Sequence, residues 1–98
     1  MILPYTFHRL AALEFEAAED SYETGRRGEG PRFTSTVEEA PFLLRQHPEA
    51  APVVRGEVRA KTLKRYPYKI YYRIKGDSLR ILAVAHQKRA PLYWLGRR

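Results

Sequence analysis

The spacing of apolar residues changes twice along the chain. Ala11, Phe15, Ala18 and Tyr22 recur at intervals of four, three and four, which puts them on one helix face. Glu16, Glu19, Asp20 and Glu23 fall on the opposite face. Ahead of this helix, "ILPYTFH" reads as a short first strand, with Pro4 marking an edge or a strand start. Behind it, "TGRRGEGP" supplies Gly25, Gly28 and Gly30 as breakers in a short polar linker. Pro31 suits the first turn of a second helix, where its missing N–H costs nothing. Phe33, Val37, Ala40 and Leu44 then repeat the four-three-four spacing, so the two helices form an antiparallel hairpin. Pro41 conflicts with this pattern. A proline inside a helix costs about 3 kcal/mol relative to alanine, which predicts a kink or a break near Thr36–Val37. "QHPEAAP" closes the helical section.

From Val58 the period becomes two. "VRAKTL" places Arg59 and Lys61 on one face. "YKIYYRIK" alternates cleanly, with Tyr68, Ile70, Tyr72 and Ile74 on a core side and Lys69, Tyr71, Arg73 and Lys75 on the other. Gly76-Asp77 is a two-residue hairpin signal. In "SLRILAVAH" the unbroken apolar run from Ile81 to Ala85 predicts a central strand covered on both faces. The order β-α-α-β-β-β predicts one α+β domain over residues 1–98, a helical hairpin packed on a twisted, mainly antiparallel sheet.

Charge sharpens this picture. The formal net charge is +7, yet residues 1–52 are acidic on balance and residues 53–98 carry thirteen basic residues against two acidic ones. A half so basic is expected to face a polyanion or an acidic partner. The chain has no cysteine, which removes disulfides and thiolate metal sites and suits a cytoplasmic protein. No apolar run has membrane-spanning length, and the N-terminus lacks a signal-peptide pattern. His8 and His47 have no clustered partners, so neither a metal nor another cofactor is expected.

The candidate chemistry lies where the apolar run ends, in "AVAHQKRAPLYW". An imidazole titrates near neutral pH and serves as an acid or base. RNA cleavage through a 2′-OH needs a proton acceptor, a donor to the leaving oxygen and cations for the phosphate. His86 with Arg59, Lys61, Arg89 and Tyr93 has the groups for those roles. The alternative is a strand-end histidine whose hydrogen bond fixes the C-terminal tail. For binding without chemistry, the candidates are Arg59, Arg73, Tyr71, Lys88, Arg89 and Trp94. Tyr71 lies on the basic face, whereas Tyr68 and Tyr72 belong to the core side.

The stretch "YPYKIYYRIKGDSLRILAVAHQKRAPLYW" resembles the C-terminal signature of the RelE/ParE toxin superfamily. The shared pattern is an aromatic-Pro-Tyr before a strand, a Tyr-Arg pair, a Gly-Asp turn, an Ala-Val-x-His strand end and a basic Arg-x-Pro with a terminal aromatic. The arginine of "EVRAKTL" and the "HPEAAP" break also suit it. The resemblance implies a small bacterial toxin of a type II toxin–antitoxin system, bound in a hetero-oligomer by a cognate antitoxin with a segment that is flexible when free. One branch of the superfamily cuts messenger RNA on the ribosome, and the ParE-like branch poisons DNA gyrase. The helical hairpin and the His86-x-x-Arg89 ending, without a dense run of catalytic lysines, favour the ParE-like branch. The endoribonuclease stays open as the alternative. Under either reading the cations of the last three strands are expected to gather beside His86.

Overall fold

Each helix carries an apolar stripe that has to be covered, and one sheet covers both. The computed structural model describes residues 4–98, so residues 2 and 3 of the expected first strand lie outside the described residues. The elements are β1 (Tyr5–Phe7), α1 (Arg9–Gly25), α2 (Glu29–Gln46), β2 (Val53–Arg55), β3 (Val58–Thr62), β4 (Tyr68–Lys75) and β5 (Ser78–His86). The sheet order is β1-β5-β4-β3-β2. All neighbours are antiparallel except β1 and β5, which run parallel. The layering and the α+β class follow the sequence pattern. The sheet also gains β2, three exposed residues with no alternation to read.

Helix α1 starts at His8, whose Nδ1 accepts the Leu10 N–H at 3.0 Å and so caps the first turn. The linker between the helices is shorter than its glycines suggest, because Gly30 lies inside α2. The helices cross closely there, and a β-carbon on Gly30 would sit 2.9 Å from the Glu23 Cβ. Gly28, at φ +90°, has no side chain to cap α2. The Glu23 carboxylate does so instead, accepting the N–H groups of Gly28 at 2.9 Å and Gly30 at 3.0 Å.

The break expected near Thr36–Val37 does not occur, and α2 continues through Pro41 to Gln46. Phe33, Val37, Ala40, Pro41 and Leu44 are all buried on one face. Burial at about 25 cal/mol per Å² across this stripe offsets the hydrogen bond that the proline removes. Phe33 is the centre of the core. The rings of Tyr22, Tyr66 and Tyr68 lie 5.0, 5.1 and 5.2 Å from it, centroid to centroid.

Strand β5 changes phase along its length. Its pairing with β4 jumps from Tyr71↔Ala83 to Tyr72↔Ile81, leaving Leu82 without an opposite residue. Such a bulge inverts the alternation beyond it. Leu79 and Ile81 before the bulge, and Val84 after it, therefore all join the core under the helices. His86, opposite Tyr68, comes to the same side.

Candidate functional site

The end of β5, the middle of α1 and the C-terminal tail enclose a cleft of about 220 Å³. Glu14, Ser21, Tyr68, His86, Arg89 and Tyr93 line it. Three of the residues singled out by sequence, His86, Arg89 and Tyr93, thus share one cavity.

His86 is held by the turn that follows it. Its Nδ1 accepts the Lys88 N–H at 3.0 Å, and its carbonyl accepts the Arg89 N–H at 2.9 Å. An accepting Nδ1 places the proton of the neutral ring on Nε2. The ring stands edge-on to Tyr68 at 5.1 Å.

Tyr93 is bound more tightly. Its hydroxyl donates to Glu14 Oε2 at 2.8 Å, while the Arg89 and Arg97 guanidinium groups lie 4.0 and 5.0 Å from the ring centroid. Burial first, then the Glu14 hydrogen bond and charge, push its ionisation well above the ordinary value for tyrosine, despite the two arginines. The phenol stays protonated and acts as a donor. Arg97 completes the cluster with two bonds to Glu14, at 2.9 and 3.0 Å. Those bonds raise its own pKa.

The remaining candidates lie elsewhere. Arg59 Nη1 donates to the carbonyls of Glu49 at 3.1 Å and Ala51 at 2.7 Å, tying down the loop between α2 and β2. The Tyr72 hydroxyl donates to the Pro48 carbonyl of the same loop at 2.7 Å. Lys61 borders a different groove of about 430 Å³, with Leu43, Leu44, His47 and Pro52. Tyr71 and Arg73 fall on the sheet face turned away from the helices, in register with Ala83 and Arg80. Tyr71 stacks on Trp94 at 5.1 Å. Trp94 is almost wholly buried, so in this arrangement it anchors the tail. Lys88 and Arg89 are exposed. The cations are therefore divided among several regions, and only Arg89 stands in the cleft with His86.

Glu14 and Arg97 form the centre of this cluster, and sequence reasoning passed over both. A signal existed for Glu14. It lies three residues after Ala11 and four before Ala18, so it sits within the apolar stripe of α1, where a carboxylate needs a partner.

Comparison with known proteins gives these features a context. The family model for the ParE toxin of the type II toxin–antitoxin system parDE matches residues 5–91. A solved structure described as "Chromosomal ParDE TA system from P. aeruginosa" is similar at a TM-score of 0.75. It shares 26% sequence identity, covering 87% of this chain and 96% of that one. Comparison with curated proteins finds no match.

Proposed function

Because the chain belongs to the ParE toxin family and is thereby the toxin of a type II toxin–antitoxin system, we propose that it poisons DNA gyrase and is neutralised by a cognate antitoxin. The observation that carries this reading is the state of Tyr93. Its hydroxyl proton is engaged by Glu14, and Glu14 is in turn engaged by Arg97, so neither group stands free beside His86 to exchange a proton with a substrate. Arg59 is occupied by backbone carbonyls away from the cleft. Such a surface suits binding better than phosphodiester chemistry.

The antitoxin's place is the groove beside α2. Leu43 lines it and is exposed, and Phe42, Val53 and Val54, close in sequence to the lining residues Leu43 and Pro52, are further large apolar residues left exposed. A partner segment with apolar anchors covers these, and its acidic groups meet the basic C-terminal half. Among the described residues no helix is long and apolar enough to cross a membrane, and gyrase as target puts the site of action in the cytoplasm.

Purified toxin is expected to inhibit gyrase supercoiling and to accumulate cleaved DNA, and both effects should disappear when the neighbouring gene product is added. If neither effect appears, the gyrase reading fails. The second reading, a ribosome-dependent messenger RNA endoribonuclease, is favoured by one observation: His86 and Arg89 share a cleft. Codon-positioned cuts on translating ribosomes, abolished by His86→Ala and Arg89→Ala, would establish it.

A further inference from the structure

On the α2 side of the aromatic cluster lies a larger cleft of about 550 Å³, between α2 and the loop from β3 to β4. Arg32 of α2 and Lys64 and Arg65 of the loop line it, with the hydroxyl of Ser35, while that of Thr36 donates to the Arg32 carbonyl at 3.1 Å. All three cations are exposed. The one ion pair among the described residues joins Arg97 to Glu14, so none of these three is paired. The cleft's own carboxylates, Glu29 and Glu39, are not in contact with them, and the lining keeps three cations against two carboxylates. Glu29 accepts the Tyr66 hydroxyl at 2.9 Å, and Glu39 makes no ion pair.

Arg65 adds an independent observation. Its φ is +69°, in the left-handed region that disfavours a side chain. Leu92 shares this conformation at φ +65°, but the Arg65 side chain is exposed, and such backbone positions are found at ligand contacts as well as in tight turns.

The cleft also has a neighbour. The Gln87 N–H donates to the Pro67 carbonyl at 2.8 Å, joining the loop to the turn that carries Lys88 and Arg89. Lys64-Arg65 and Lys88-Arg89 therefore leave the fold from adjacent backbone at one end of the sheet. A small anion meets only one such pair. A nucleic-acid strand repeats its charge about every 3.4 Å along the axis and meets both. Tyr66 is fixed in the core against Phe33 and Tyr22 and tied to Glu29, so it offers no platform for an unpaired base. The donors present, guanidinium, ammonium and hydroxyl, are those that contact a duplex backbone.

We propose that this cleft holds a backbone phosphate of double-stranded DNA, with Lys88 and Arg89 meeting a phosphate beside it. This deepens the gyrase reading, on which it rests for where the DNA is encountered. The contact itself belongs to this chain.

The test is fluorescence anisotropy of the full-length toxin with a short DNA duplex over a salt series, without gyrase. The variant Arg32→Gln/Lys64→Gln/Arg65→Gln is expected to bind at least about tenfold more weakly. Its log–log salt slope should be shallower by about one, for the one phosphate left without its cations. Unchanged affinity and slope overturn the proposal. So does a polyglutamate peptide that competes as well as duplex of equal charge, which assigns the cleft to an acidic protein. Arg65→Gly guards against a folding artefact, because it removes the charge and relieves the left-handed backbone. It is expected to bind more weakly with a raised Tm, and a lowered Tm with unchanged binding overturns the role of Arg65. Because gyrase is absent, duplex binding without gyrase inhibition leaves this proposal standing while the target reading fails, and the reverse result separates them equally.

Discussion

Glu14 and Arg97 pair at 2.9 Å, and together they close the free edge of β5. Strand β1 covers β5 only from Leu79 to Ile81. Beyond it, the Val84 N–H donates to Glu14 Oε1 at 3.1 Å, and the Leu82 carbonyl accepts from Arg97 Nη1 at 3.0 Å. The two side chains satisfy backbone groups that a neighbouring strand would otherwise satisfy, and they occupy this part of the edge.

Both partners are largely buried, with side-chain exposures of 11% and 18%. Glu14→Ala leaves the Tyr93 hydroxyl and the Val84 N–H without their acceptor and the Arg97 guanidinium with the Leu82 carbonyl alone. The expected loss is about 2–4 kcal/mol, between the value of a charged hydrogen bond and that of a broken buried pair. Urea unfolding of Glu14→Ala, Arg97→Ala and the double variant measures it. A cycle with coupling below about 0.5 kcal/mol removes the pair from the account.

The same cluster predicts an alkaline limit. The folded protein raises the Tyr93 pKa above the ordinary 10.0 through burial and the Glu14 bond. A raised pKa contributes stability that is present below the unfolded value and is lost as pH rises past it. Burial likewise raises Tyr22, Tyr66, Tyr68 and Tyr72. Stability should therefore fall as the pH rises above about 10. Tyr93→Phe should be less stable at neutral pH by about 1–2 kcal/mol, because it lacks the hydrogen bond to a charged group. Its alkaline decline should be shallower. Equal slopes for the variant and the wild type would count against Tyr93 as a contributor.

At acid pH the sign reverses, and the group is His8. Its pKa is lowered from 6.5, first by burial and then by Arg80, Arg97 and Arg9, with Glu14 opposing. A lowered histidine pKa means that the unfolded chain takes up the proton more readily, so this contribution is present above 6.5 and is lost as pH falls below it. Protonating Nδ1 also removes the acceptor for the Leu10 N–H. His8→Asn keeps a capping side chain that does not titrate. Thermal unfolding at pH 8 and pH 5 should show a smaller acid-side drop in Tm for the variant, and an identical drop would rule out His8 as the source.

How far the sequence revealed the site depends on which residues are asked about. The helix faces were legible because Ala11, Ala18, Phe33, Val37 and Leu44 obey one period, and all of them are buried. The alternation of Tyr68 to Lys75 was legible for the same reason, and it placed Tyr72 in the core. The orientation of His86 was not. The run from Ile81 to Ala85 is apolar at every position, and the bulge at Leu82 inverts the alternation inside it without altering any residue type. Arg59 was misleading in another way. Its place on a basic strand suggested an outward contact, whereas the nearby loop supplies two carbonyls for its guanidinium. Strand alternation fixes a face but not which loop folds over it.

The crossing of the helices yields the last prediction. Gly30→Ala puts a methyl 2.9 Å from Glu23 Cβ and 3.1 Å from the Glu19 carbonyl oxygen. Neither neighbour is the far end of a flexible side chain, so the helices must move apart. That movement also stretches the Glu23 cap on Gly28 and Gly30. The cost should be about 1–3 kcal/mol, the usual range for overpacking. Gly25→Ala is the matched control. Nothing lies within 4 Å of a β-carbon there, and alanine is a better helix former than glycine by about 1 kcal/mol at most. Gly25→Ala should therefore leave the unfolding midpoint unchanged or raise it, while Gly30→Ala lowers it. Equal midpoints for the two variants would mean that the helices do not approach as closely as the Gly30 geometry requires.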